Sequence, residues 1–194
     1  LGASGDDFAA MASHLTLGSN LQARYIFPHA PMRAISVNGG MQMPAWYDLD
    51  IVGFERKVNL ADLQVSSHQV MALIDAQLAE GIPSERIILA GFSQGGAVAY
   101  EVLFHYPHTL AGVMAMSTYI ANPEAIAQAQ NKQTPVWLSH GSEDNVVPMA
   151  LGRRAQEQLQ QAGFEPSFSE YQMGHSVCPS QLKDIQAFLN RCLA

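Results

Sequence analysis

Apolar positions along the chain fall into short dense runs separated by longer stretches of helical periodicity. Ile87–Ala90 with Phe92, Gly112–Met116 and Pro135–His140 lack polar alternation, as strands buried on both faces require. Between them the spacing becomes helical. Val70, Leu73, Ile74 and Leu78 mark one face of a helix over Leu60–Glu80, closed by Gly81 and Pro83. Leu151, Ala155, Leu159 and Ala162 mark another that stops at Gly163, and Leu182, Ile185 and Leu189 a last one opened by Pro179-Ser180. After Gly95-Gly96 the residues Ala97, Val98, Ala99, Val102, Leu103 and Phe104 crowd together. That helix is expected to be buried nearly all round until Tyr106-Pro107 ends it. Weaker patterns suggest a first helix over Asp7–Leu17, a strand near Arg24–Phe27, a short helix over Pro123–Gln130 and a last strand near Ser167–Tyr171. From Ala30 to Glu55 no regular element is evident, a long stretch for a compact domain unless it is functional. The alternation predicts an α/β fold with a mostly parallel sheet and helices on both faces. No repeat or linker divides it, so residues 1–194 are expected to form one domain.

Composition narrows the partners. With 194 residues, 48% of them hydrophobic, the chain can bury a sizeable core. A formal charge of -7 and no run of Lys or Arg argue against nucleic acid. The sequence shows no membrane-length apolar run and no signal-peptide pattern at the start given, so stable membrane insertion is not expected. Cys178 and Cys192 are too few for a disulfide framework and lack metal-ligand spacing; reduced thiols in a cytoplasmic enzyme are the simplest reading.

Candidate chemistry centres on Gly91-Phe92-Ser93-Gln94-Gly95, a G-x-S-x-G pattern lying between a buried strand and a buried helix. In that context the serine is carried on a tight exposed bend, its hydroxyl presented rather than packed. A serine needs a base, and the base an orienting acid. Of seven histidines, His175 is best placed, in the loop between the last strand and the last helix. His14, His68, His105 and His108 fall on or beside helices, while His29 and His140 sit at strand ends, where satisfied core or loop roles are usual. Asp144 follows the strand ending at His140, with Glu143 a rival that spacing alone does not separate. The order Ser93, Asp144, His175 is that of α/β-hydrolases.

Six stretches together resemble the carboxylesterase, lysophospholipase and acyl-protein thioesterase family of compact α/β-hydrolases. They are Leu1-Gly2-Ala3-Ser4-Gly5, Pro28-His29-Ala30-Pro31, Asn38-Gly39-Gly40 with Met43–Asp48, Gly91–Gly96, His140-Gly141 through Asp144 to Pro148, and Gly174-His175. The resemblance implies an α/β-hydrolase fold, a triad of Ser93, Asp144 and His175, and an oxyanion hole from the backbone N–H groups of Leu1 and Gln94. It favours Asp144 over Glu143 and implies no metal or organic cofactor. In the family a strand and a His-Gly pair precede the position of Leu1, so N-terminal strand structure is expected to be absent from the sequence as given. A homodimer is compatible with the resemblance.

The resulting expectation is a serine carboxylesterase for small-molecule esters with short to medium acyl groups, working through an acyl-enzyme. The alternatives are a thioesterase or lysophospholipase for long acyl chains, and a non-catalytic binding module. Met43, Trp46 and Tyr47, with Met32, Met41 and Phe54, are candidates to line an acyl groove, and Val146, Val147 and Met149 could form its opposite wall. Trp46 and Phe54 could equally form a satellite core beneath the loop.

Overall fold

The computed structural model describes residues 1–52 and 55–194. In chain order the elements are α1 (Asp6–Ala12), β1 (Met32–Ile35), β2 (Met41–Pro44), β3 (Leu49–Val52), β4 (Glu55–Val58), α2 (Leu60–Ala79), β5 (Ile88–Phe92), α3 (Gln94–His105), β6 (Gly112–Met116), β7 (Val136–Gly141), α4 (Met149–Gln161), β8 (Ser167–Tyr171) and α5 (Pro179–Leu193). The dense apolar runs form three of the four strands of a parallel sheet ordered β5-β6-β7-β8. Its register sets Met114 opposite Trp137 and Ala115 opposite Leu138. Because side chains alternate across a strand, each run feeds two cores. Val113, Ala115, Val136 and Leu138 pack with α2, α3 and α4, whereas Met114, Met116 and Trp137 meet Ile185, Phe188 and Leu189 of α5 on the other face. Each large apolar side chain so buried stabilises the fold by roughly 1.5–3 kcal/mol. Ten of the twelve α3 residues are buried, which is why the helix carries almost no polar face.

The sequence reading needs three corrections. Residues 24–27 form no strand: Tyr25 and Phe27 stack with ring centroids 6.3 Å apart, as extended backbone allows, but make no ladder. A strand exists only where a neighbour takes its N–H and C=O groups, and among the described residues β5 pairs with β6 alone, so this flank offers no such neighbour. For the same reason β5 is less covered than its composition suggests, with Ala90 exposed.

The first helix stops at Ala12 rather than near Leu17 because α5 captures the following backbone. Thr16 N donates to Gln186 Oε1 at 3.0 Å and Gly18 N to Asn190 Oδ1 at 2.7 Å. The stretch from Ala30 to Glu55, expected to be irregular, instead holds β1, β2 and β3, with β1 paired antiparallel to β2 and β3 antiparallel to β4, which begins at Glu55. Gly39 and Gly40, at φ 65° and 83°, turn the first of these hairpins, so Asn38-Gly39-Gly40 was a readable hairpin signal. Phe54 lies outside the described residues.

Candidate active site

The junction of β5 and α3 leaves no room for side chains. A Cβ on Gly91 would lie 2.2 Å from the carbonyl oxygen of Gly95, and one on Gly96 2.5 Å from Thr118 Cγ2. Ser93 between them takes φ 54° and ψ −121°, a sparsely populated conformation for a residue with a side chain. Neighbouring backbone holds it there. Ser93 N–H donates to Met116 O at 2.9 Å, and Thr118 Oγ1 donates to Ser93 O at 2.7 Å. Gln94 opens α3, where the first N–H groups have no intrahelical acceptor and point toward the bend.

Asp144 follows β7 in a turn that satisfies one of its oxygens from within. Oδ1 accepts from Val146 N at 2.9 Å and Val147 N at 2.8 Å, while Oδ2 accepts from His175 Nδ1 at 2.7 Å. The carboxylate is fully buried, whereas Glu143 is exposed, so the acid facing His175 is Asp144. A carboxylate can only accept, which puts the imidazole proton on Nδ1 and leaves Nε2 with its lone pair. The His175 ring lies 4.7 Å from that of Phe92, the residue before Ser93. The loop after β8 thus reaches back across the sheet to the elbow on β5. Ser93 Oγ and His175 Nε2 are not hydrogen-bonded in this structure, a common state for such pairs without substrate.

The segment Pro44–Tyr47 ties the remaining pieces together. Gly2 N donates to Pro44 O at 2.8 Å, anchoring the loop that carries Leu1. Gly5 N in the same loop donates to His29 Nδ1 at 3.2 Å. The Gln94 side chain, 4% exposed with its residue, accepts from Trp46 N at 3.1 Å and donates to Tyr47 O at 2.9 Å. Ser66 Oγ of α2 donates to Trp46 O. The acid turn is tethered to the second hairpin, since Arg56 of β4 donates to Val146 O.

The groove candidates divide. Met43 and Trp46 are half-buried, and Val146 is exposed. A cavity of about 310 Å³ opens beside Trp46, bounded by Pro28, Pro31 and, from α2, Val70 and Leu73. Tyr47 and Val147, expected as groove walls, are interior instead. Tyr47 is fully buried with its hydroxyl 3.0 Å from that of Tyr119, and burial pushes the phenol pKa well above 10. Val147 is buried and serves Asp144 through its N–H. Their apolar character was legible, but which face each presented depended on the turn around it. Sequence reasoning also missed Thr118, for which no motif signal exists, and the Gln94 side chain, inside the motif but read only for its backbone.

A buried carboxylate aligned on an imidazole, beside a serine on a strand–turn–helix bend, defines a serine hydrolase on an α/β-hydrolase scaffold. The chain belongs to the phospholipase/carboxylesterase family, whose model matches residues 1–193. Proteins named acyl-protein thioesterase 1 from Gibberella zeae and Emericella nidulans are 34% and 36% identical to it. Each match covers 89% of this chain and 78% of the relative. The crystal structure of Arabidopsis thaliana SOBER1 superposes with a TM-score of 0.93 at 30% identity, covering 100% of this chain and 95% of that one. The enzyme is thus a serine hydrolase of carboxylic esters. No helix among the described residues is long and apolar enough to cross a membrane, and none of their His, Cys, Asp and Glu side chains group in a way that could hold a metal ion.

Proposed function

We propose that this enzyme is an acyl thioesterase and esterase that prefers long acyl chains and uses Ser93, His175 and Asp144 as its triad. The Asp144–His175 pair at 2.7 Å, next to the elbow residue Phe92, is the observation that carries the catalytic part. Ser93 Oγ attacks the acyl carbonyl while His175 Nε2 takes its proton, and Asp144 holds the imidazole with its proton on Nδ1. The negative oxygen of the tetrahedral intermediate accepts from the N–H groups of Gln94 and Leu1, each such donor typically contributing about 3–4 kcal/mol. Collapse expels the thiol or alcohol, protonated by His175, and water activated by the same histidine releases the acid.

The similarity to proteins named acyl-protein thioesterase 1 supports this reading over the short-chain esterase expected from sequence. The apolar rim agrees with it: Met41, Ile51, Val52 and Val146, 46% to 63% exposed, lie on the hairpins and the acid turn. Burying each acyl methylene is worth about 0.8 kcal/mol, or roughly fourfold in specificity constant until the groove is filled. Rates on acetyl to palmitoyl thioesters and on the matching oxygen esters test it. A kcat/KM that rises through the longer acyl groups is expected, and one that peaks at acetyl or butyryl would return the enzyme to the short-chain class. Ser93→Ala should fold and lose turnover; parental turnover in that variant would refute the nucleophile.

A further inference from the structure

Two histidines face Asp144. Besides His175, His140 near the end of β7 lies beneath the acid turn, 1% exposed, with Nε2 3.6 Å from Asp144 Oδ2. That nitrogen is 2.7 Å from Val147 O, and because a carbonyl only accepts, Nε2 carries the proton and Nδ1 is bare. The far side of the ring rests on α4 at Gly152, where a Cβ would come within 2.4 Å of Nδ1. The imidazole is therefore wedged, with helix backbone on one side and the turn on the other.

The turn shows what the wedge does. The peptide units around Val147 are held at both ends, the N–H by Asp144 Oδ1 and the C=O by His140. Fixing that carbonyl fixes the amide that holds Oδ1, and the orientation of Oδ1 decides where Oδ2 points. Asp144, and beyond it His175, are the titratable groups facing His140; α4 presents the uncharged Gly152. We propose that His140 is a positioning residue, which holds the turn 144–147 so that the Asp144 carboxylate stays aimed at His175. Burial lowers its pKa below the ordinary 6.5, so it is neutral at physiological pH and leaves the negative charge of Asp144 to the imidazolium that His175 becomes. A lysine or arginine there would compete for that charge.

The inference rests on the triad reading, so Asp144→Asn is measured alongside and should lower kcat by about 10⁴. His140→Phe keeps a ring without the donor, His140→Gln restores a donor of similar reach, and Gly152→Ala presses on the ring from the opposite side. Each variant is assayed for kcat and KM on one thioester, for the acid limb of its pH profile, for the rate of fluorophosphonate labelling and for thermal stability. His140→Phe should lower kcat and labelling by up to about 10²-fold with little change in KM. The acid limb of the profile should move as the carboxylate behind the catalytic base loses its alignment. His140→Gln should recover most of the rate, and Gly152→Ala should show the same direction of change with His140 in place.

If His140→Phe does not fold, the Gln and Gly152 variants carry the test through the pH limb and the kcat-to-KM split. Folded variants with parental kcat and an unmoved acid limb would overturn the positioning role, as would losses that follow stability alone. If instead Asp144→Asn keeps the parental rate, the triad itself is wrong.

Discussion

Replacing Gln94 by Leu would test how far one buried side chain holds the groove wall to the elbow. The change keeps the volume and the backbone N–H but deletes two hydrogen bonds, 3.1 Å to Trp46 N and 2.9 Å to Tyr47 O. Both partners lie in a segment with little access to water, Tyr47 fully buried and Trp46 half-buried. An orphaned buried group costs about 1–3 kcal/mol, and the half-buried Trp46 amide falls at the low end. The sum is about 2–4 kcal/mol, of which the leucine recovers a part by its apolar burial. For a chain of this size each kcal/mol moves Tm by about 2–4 °C, so a fall of roughly 4–16 °C is expected. Urea unfolding followed by tryptophan fluorescence reads it directly, since Trp46 is one of only two tryptophans. Because the proposed oxyanion donor is the backbone N–H, the kinetic effect should appear mainly as a higher KM for long acyl groups. A stability change under about 0.5 kcal/mol, the usual range for a surface substitution, would show that the side chain clamps nothing.

Two further comparisons separate causes. Gly91→Ala drives a Cβ to 2.2–2.5 Å from backbone atoms of Gly95 and Gly96, whereas Gly39→Ala, at φ 65° with nothing within 4 Å, meets only left-handed strain. The first should abolish soluble folded protein and the second cost about 1–2 kcal/mol; equal urea midpoints would contradict the packing of the elbow. Glu101 on α3 is buried, with Asn122 Nδ2 at 3.2 Å and His105 at 3.6 Å, and burial raises its carboxyl pKa above the ordinary 4.5. The folded state then holds its proton more tightly than the unfolded chain. That contribution to stability is complete below pH 4.5 and is lost as pH rises through the folded value. Glu101→Gln should therefore be the more stable protein at pH 7, with the advantage shrinking toward pH 4.5. Unfolding midpoints at both pH values decide it, and a parent at least as stable at pH 7 would reverse the sign.

The chain's own pattern determined the order of strands and helices from β5 to α5, because apolar run length and helical spacing are properties of neighbouring residues. It also placed the elbow, since Gly91, Gly95 and Gly96 around Ser93 answer a local steric demand. Tertiary structure decided what depended on distant partners. Residues 24–27 have strand composition but no neighbour to pair with, and residues 13–17 have helical spacing but lose their backbone to Gln186 and Asn190 of α5. Asp144 and Glu143 are adjacent carboxylates, and only the turn through Val147 buries one against His175 and leaves the other in water. Tyr47 and Val147 look like groove residues until the fold turns them inward, because burial is set by what packs against a residue from elsewhere in the chain.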